Sequence, residues 1–190
     1  MANSNNFQII GGEYRGRKFS FPDAEGLRPT PGKVRETLFN WIQFESFNKT
    51  YLDLFAGSGA LSFEALSRGA KQVTSIEKNP NTYQSLEKNR KLLKSDKIRL
   101  FNQDALVFLK QKSTKTFDFV LLDPPFNKNL ISKTLKSLKN SDFVTSKSKI
   151  YIESEFEITQ DFLKEKISEK IEIIKQKQSG AVNYCLLKIL

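Results

Sequence analysis

Acidic residues at the ends of apolar runs are the groups in this sequence placed to do chemistry. Tyr51, Leu52, Leu54 and Phe55 form an apolar run broken by Asp53, and Gly57-Ser58-Gly59 then allows a sharp turn with no Cβ in the way. Such a turn after a strand is where an open α/β sheet meets a nucleotide-like ligand. The third glycine of a dinucleotide fingerprint would fall at Ser62, and no Gly-Lys-Ser/Thr follows for a P-loop. Asp53 is a poor neighbour for a pyrophosphate and a good one for a cation. S-adenosylmethionine (SAM) carries an ammonium and a sulfonium, no phosphate, and a ribose whose hydroxyls suit Glu77, an acid about 20 residues past the glycines. Asp53, Phe55, Gly57, Gly59, Glu77 and Asp104 are the expected cofactor-binding residues, with Asp104 beside the adenine amine.

Asp123-Pro124-Pro125-Phe126 supplies the other half of a transfer site. Two consecutive prolines remove two N–H donors and hold the Pro124 carbonyl in one direction, so the turn offers acceptors only. Asp123 and that carbonyl can accept from an NH₂ on a planar ring while Phe126 stacks on the ring. Drawing out both N–H groups localises the nitrogen lone pair for direct displacement of a methyl group from a sulfonium, a reaction in which positioning is the protein's main contribution. Asp123, Pro124 and Phe126 are therefore the expected catalytic residues; either Asp123 or water could take the proton that the nitrogen then loses.

These groups need a parallel sheet to bring them together. Strand and helix signals alternate from Tyr51: a helix opening after Gly59 and capped near Gly69, strands at Gln72 to Glu77 and Ile98 to Asn102, helices at Pro80 to Leu93 and Ala105 to Lys110, and a strongly apolar strand at Phe117 to Leu122. A helix near Leu130 to Leu138, a strand at Ile150 to Glu153 and a helix near Gln160 to Ile167 follow. Strands at Ile171 to Lys175 and Val182 to Ile189, joined through Ser179-Gly180, close the chain as an antiparallel pair. The expected fold is α/β and Rossmann-like, a seven-stranded mostly parallel sheet with the last strand antiparallel and helices on both faces. Upstream, residues 1 to 6 read as disordered, Phe7 to Ile10 and Lys18 to Phe21 as a β-hairpin, and Thr30-Pro31 as the cap and first residue of a helix with Val34, Leu38, Trp41 and Ile42 on its apolar face. Residues 1–47 are expected to form a nucleic-acid-binding hairpin and helix, RNA-binding by the resemblance given below, and 48–190 the catalytic domain.

The charge balance, 31 Lys+Arg against 21 Asp+Glu, favours an anionic partner. Arg15, Arg17, Arg28 and Arg35 place four of the seven arginines in one N-terminal stretch, where the planar guanidinium suits phosphate. With no histidine and a single cysteine, Cys185, neither a His-based metal site nor an internal disulfide is expected. The start has no basic and apolar leader pattern, and no apolar run approaches a membrane span, so a cytoplasmic protein is expected; separately, a monomer is expected.

The segments IIGGEYRGRKF, LRPTPGKVRETLFNW, LDLFAGSGALSFEALSRGA and LLDPPF together resemble the bacterial 16S ribosomal RNA guanine-N2 methyltransferase family of the D type, over about Ile9 to Glu155. The resemblance implies a class I SAM-dependent methyltransferase acting on small-subunit RNA already assembled with proteins. It also implies RNA contacts from Tyr14, Arg15, Arg17, Arg28, Thr30 and Arg35. Lys33 stands where arginine is frequent in the family, and no functional residue is carried over after Asp161. The DPPF turn alone equally suits an adenine or cytosine amine of DNA, and a non-catalytic RNA-binding assembly factor is a third reading.

Overall fold

The computed structural model describes residues 4–24, 26–126, 128–166 and 170–189. Strands β1 (Ser4–Gln8) and β2 (Lys18–Pro22) pair antiparallel with Phe7 opposite Phe19. Pairing begins at Ser4, inside the stretch expected to be disordered, because Asn5 and Asn6 join the ladder through their backbones and leave no apolar signal. Phe7, Phe19 and Phe21 are buried, and the Phe19 ring stacks on Phe63 with centroids 5.0 Å apart. Burying each such ring is worth roughly 1.5–3 kcal/mol, which supplies what two strands alone lack. Gly12, at φ 81°, completes the docking: a Cβ there would lie 1.9 Å from the Ser67 carbonyl oxygen.

Helix α1 (Gly32–Trp41) buries Val34, Leu38 and Phe39, and Trp41 stacks on Tyr184 at 5.5 Å. Its N-cap is Pro31, with no side-chain capping bond, rather than Thr30, whose hydroxyl is turned elsewhere. Next come β3 (Thr50–Asp53), α2 (Ala60–Ser67), β4 (Gln72–Glu77), α3 (Pro80–Leu93), β5 (Ile98–Asn102), α4 (Ala105–Phe108) and β6 (Phe119–Leu122). The chain ends with α5 (Leu130–Lys139), β7 (Lys149–Ser154), α6 (Gln160–Lys166), β8 (Ile171–Ser179) and β9 (Val182–Ile189).

The main sheet has strand order β5-β4-β3-β6-β7-β9-β8, with β9 antiparallel to both neighbours and the other pairings parallel. From β3 the chain winds outward through β4 and β5, then returns to start β6 on the other side of β3. The strand order therefore reverses between β3 and β6, where an open sheet leaves a crevice at its carboxyl end. Period-two alternation splits the core into two layers. Tyr51, Phe119, Leu121 and Tyr151 face the hairpin, α1 and α2, while Leu52, Val120, Leu122 and Ile150 face the layer of α4, α5 and α6. Among the described residues no helix is long and apolar enough to cross a membrane.

Candidate active site

Asp53 closes β3 at the switch point, 1% exposed. The turn after it is fixed by backbone bonds, Ala56 N–H donating to the Ile76 carbonyl and Gly59 N–H to that of Ala56. Gly59, at φ 85°, carries the chain into α2, and a Cβ there would meet Phe63 at 2.4 Å and Leu86 at 2.6 Å. Ser62, where a dinucleotide fingerprint has its third glycine, instead donates to Asp53 Oδ2 at 2.6 Å and lies 2.7 Å from the Ser75 hydroxyl. The departure from the fingerprint is thus a departure toward holding a carboxylate. Asp53 Oδ1 is buried and without a partner among the described residues. Burial pushes its carboxyl up to about 7, with the charges of Asp123 and Glu77 adding to the effect and the Ser62 bond and the neighbouring Phe55 backbone N–H, which makes no full hydrogen bond to Oδ1, opposing it. A buried acceptor that needs a donor, at an acid that costs free energy to ionise, fits a cationic group and not a phosphate.

Glu77, at the end of β4, takes the Gly57 N–H on Oε2 at 2.9 Å and the Asn79 N–H on Oε1 at 2.6 Å. Burial raises its carboxyl against these amides. The carboxylate ties the glycine turn to the next strand and keeps lone pairs for further donors. Asp104 caps α4 through Oδ1, which accepts from Leu106 and Val107, and pairs with Lys78 through Oδ2 at 3.1 Å. Burial works to raise its carboxyl, but Lys78 and the two amides outweigh it and hold it below the usual range. Phe55 is half-buried in the turn itself.

Across the switch point, Asp123 follows the last residue of β6. The Thr30 hydroxyl donates to its Oδ2 at 3.0 Å, and burial pushes the carboxyl up to about 6 against that bond. Since Asp53 pairs with Leu121 in the ladder, Asp123 lies two residues further along on the same face. Pro124 is buried, Pro125 exposed and Phe126 half-buried. Beside the turn is a small cleft of about 20 Å³ whose lining includes Pro124, Pro125, Leu130 and Phe156. A larger cleft of about 150 Å³, with Arg99, Phe108 and Phe117 in its lining, contains none of the strand-end acids.

The arginine-rich stretch divides in two. Arg15, Arg17 and Arg28 are exposed, with Arg17 over the half-buried Tyr14 ring at 5.1 Å and its Nη1 donating to the Leu92 carbonyl at 3.4 Å. Arg35 and Thr30 do not belong on that surface, correcting the expectation that they contact RNA. Arg35 is 4% exposed and donates to Glu64 Oε2 at 3.1 Å, to the Thr30 carbonyl at 3.1 Å and to the Gln8 carbonyl at 3.0 Å. Thr30 is 5% exposed and turned inward to Asp123. Both serve the interior because the segment before α1 folds over the strand ends.

Two acids that sequence reasoning passed over complete the picture. Glu64, fully buried in α2, accepts from Arg35, from Arg68 at 2.9 Å, and from the backbone N–H groups of Ile10 and Gly11 at 3.0 and 2.9 Å. Nothing local marks a helical glutamate as a hub. Glu153, on β7, is buried next to Asp123, and the signal that picked out Glu77, an acid at the end of an apolar strand, was present there too. No group of three or more side chains suited to hold a metal ion occurs among the described residues.

A doubly wound sheet with a reversed strand, a glycine turn facing a cation-seeking Asp53, and an acceptor-only turn across the switch point make up the architecture of a class I methyltransferase. Residues 7–188 match the family described as Conserved hypothetical protein 95. The Ribosomal RNA small subunit methyltransferase D of Escherichia coli (strain K12) is 46% identical over 154 residues, 81% of this chain and 77% of that protein. A solved structure from Escherichia coli, described as a candidate methyltransferase, superposes with a TM-score of 0.85 at 39% identity, covering 97% of this chain and 98% of that one. The Thermus thermophilus 16S rRNA N2 G1207 methyltransferase, solved in complex with AdoMet and guanosine, shares the fold at a TM-score of 0.74 and 18% identity, over 99% of this chain and 50% of that one. The chain belongs to the Conserved hypothetical protein 95 family, as a bacterial ribosomal RNA small subunit methyltransferase of the D type.

Proposed function

We propose that this protein transfers a methyl group from SAM to the exocyclic N2 amine of a guanine in 16S ribosomal RNA within the assembled small subunit, acting as a cytoplasmic monomer. The observation that carries the reading is the pairing of Asp53, whose buried Oδ1 lacks a donor, with Asp123, held by Thr30 on the same face across the switch point. When bound, SAM would supply an electrophilic sulfonium methyl, the carbon bonding to the amine nitrogen as its bond to sulfur breaks and S-adenosylhomocysteine leaves. Asp53 would meet the cationic end of the cofactor, Glu77 the ribose and Asp104 the adenine edge, while Phe55, Gly57 and Gly59 shape the turn. Asp123 and the Pro124 carbonyl accept the two amine hydrogens and Phe126 stacks on the base. Asp123 then has the basicity to receive the proton as the new C–N bond forms. Residues 1–47 serve RNA binding and 48–190 catalysis, a division of role within one shared core: Phe7 and Phe19 pack with Phe63 of the catalytic part.

Labelled SAM offered with unmethylated small subunits, naked ribosomal RNA and duplex DNA should label N2 of guanine in 16S RNA, with assembled subunits as the better substrate. Label in DNA alone, or in no nucleic acid, would overturn the assignment. Replacing Arg15 and Arg17 together with alanine should weaken subunit binding and lower the slope of log affinity against log salt by about 2, leaving SAM affinity unchanged. An unchanged salt slope would return the hairpin to a purely architectural role. SAM affinity itself should depend on pH. Free Asp53 titrates at about 7 and binds a cation only when ionised, so affinity rises as pH increases through that value. Calorimetry on Asp53→Asn should give a weak and flatter profile; a flat profile in the parent protein would exclude Asp53 as the cation's partner.

A further inference from the structure

Parallel sheets are as a rule covered on both faces. Over β4 and β5 the cover stops early, because α4 is a single four-residue turn and β5 is the edge strand of the sheet. Thr74 stands opposite Arg99 in the β4–β5 ladder and Ile76 opposite Phe101, so these four share the face on which α4 packs. Ile76 is fully buried, whereas Arg99 is exposed and Phe101 is 41% exposed. The uncovered corner is the cleft of about 150 Å³, which lies roughly 10 Å back along the strands from the edge that carries Glu77 and Asp104.

The chemistry of this cleft is cationic and aromatic. Its lining holds Arg99, Lys112 and Lys115 and no acid. All three cations are exposed, and none has a side-chain partner among the described residues. Lys112 and Lys115 belong to the segment KQKSTKT, which follows Leu109 and contains three lysines and no acid. The Ser113 hydroxyl holds that segment in a tight turn, donating to the Lys115 carbonyl and accepting from its N–H, each at 3.0 Å. Phe101 is the outermost of a chain of rings: it lies 5.6 Å from Phe108, which stacks on Phe143 at 5.0 Å, with Phe117 6.1 Å from Phe143. The three inner rings are buried, so Phe101 is supported from behind while much of it faces water. The surface leading here from the hairpin is basic as well. Arg17 reaches the Leu92 carbonyl, and Lys91, Lys94 and Lys97 are exposed around the start of β5 against one exposed acid, Asp96.

We propose that this cleft is a second RNA site, which takes a single-stranded nucleotide of the ribosomal substrate with its base on Phe101 and the flanking phosphates on Arg99, Lys112 and Lys115. The inference rests on the reading of RNA as the substrate. Cations alone would suit any polyanion, but a fixed aromatic ring beside unpaired cations matches a base joined to a phosphate, and an acidic protein segment would leave the ring unused. The volume is below the roughly 300–1,000 Å³ of an enclosed small-molecule pocket and suits one planar base laid in an open groove. With the hairpin on one side of the β5 edge and the cleft on the other, the RNA is gripped on both faces of the sheet. The cleft contributes binding and no chemistry.

Two kinds of variant separate charge from stacking. Arg99→Ala, Lys112→Ala and Lys115→Ala combined should lower the slope of log affinity for small subunits against log salt by about 2 to 3 and raise KM for subunits on the order of 10-fold, with kcat and SAM affinity kept. Phe101→Ala should weaken subunit binding on the order of 10-fold at an unchanged salt slope, and Phe101→Tyr should restore it. A photoreactive benzophenone analogue in place of Phe101 should crosslink to 16S RNA in the assembled subunit. A parent-like salt slope in the triple variant, parent-like binding in Phe101→Ala, a Phe101→Tyr as weak as Phe101→Ala, or a crosslink to ribosomal protein alone would each overturn the inference. If Phe101→Ala unfolds, the triple variant and the crosslink decide. Methylation by the parent, run alongside, separates the two claims. A parent that methylates the RNA beside variants that bind like it removes only this cleft, whereas a parent that methylates no RNA removes the substrate reading and the cleft with it.

Discussion

Asp123→Ala is expected to lower kcat by about 100-fold to about 10,000-fold while SAM still binds, the range typical of losing a positioned acid–base group. The asymmetry between binding and turnover follows from where Asp123 sits. It lies after β6, across the switch point from Asp53 and the glycine turn, so its removal leaves the groups proposed to hold the cofactor in place. The parent enzyme should also lose activity as pH falls through about 6. Burial raises the Asp123 carboxyl to that value, and below it the group is protonated and no longer accepts both an amine hydrogen and a proton. Single-turnover rates measured with SAM saturating would check both statements. Turnover within a few-fold of the parent in Asp123→Ala would mean that the Pro124 carbonyl and Phe126 suffice to hold the base.

The second large effect is on stability. Glu64→Ala should cost roughly 3–5 kcal/mol, because it leaves the buried Arg35 guanidinium without its counter-charge and frees two backbone N–H groups of the hairpin. For a chain of this size that corresponds to a drop in Tm of roughly 10 °C or more. The consequences reach the active site. Arg35 holds the Thr30 carbonyl, and Thr30 holds Asp123, so loss of Glu64 should loosen the acceptor as well as the hairpin. Hydrogen exchange would show the amides of Ile10 and Gly11 exposed early in Glu64→Ala. A fall in Tm of less than about 3 °C would mean that Arg68 and Arg35 find other acceptors without cost.

Much of the site lies in local sequence because its chemistry is local. The glycine turn needs positive φ at Gly57 and Gly59, and the chain records that requirement as residue type. The DPPF turn is fixed by two prolines, and strands β4 and β5 and helix α3 fall within the limits that apolar periodicity sets. Asp53, Glu77 and Asp123 are legible for a related reason: an acid that ends an apolar strand is at the carboxyl edge of a parallel sheet, whatever the rest of the fold does. Ser62 was legible only as an absence, the glycine that is not there, and its bond to Asp53 gives the absence a cause.

What the chain by itself could not decide is which side chains are spent inside. Arg35 and Arg28 look alike in sequence, both arginines beside an aromatic-rich basic hairpin, yet Arg28 is exposed and Arg35 is consumed by Glu64 and two carbonyls. Thr30 carries the sequence mark of a helix cap and is instead the support of Asp123, 93 residues away. Glu64 acquires its role only when the hairpin closes over α2, and Glu153 its buried place beside Asp123 only when β7 is laid beside β6. The sequence by itself determined the fold class, the glycine turn and the DPPF turn, because each rests on backbone conformation or on periodicity within one segment. Only the tertiary structure decided the set of residues that hold those turns, because a buried charge is satisfied by whatever partner folding brings to it, and that partner has no fixed distance along the chain.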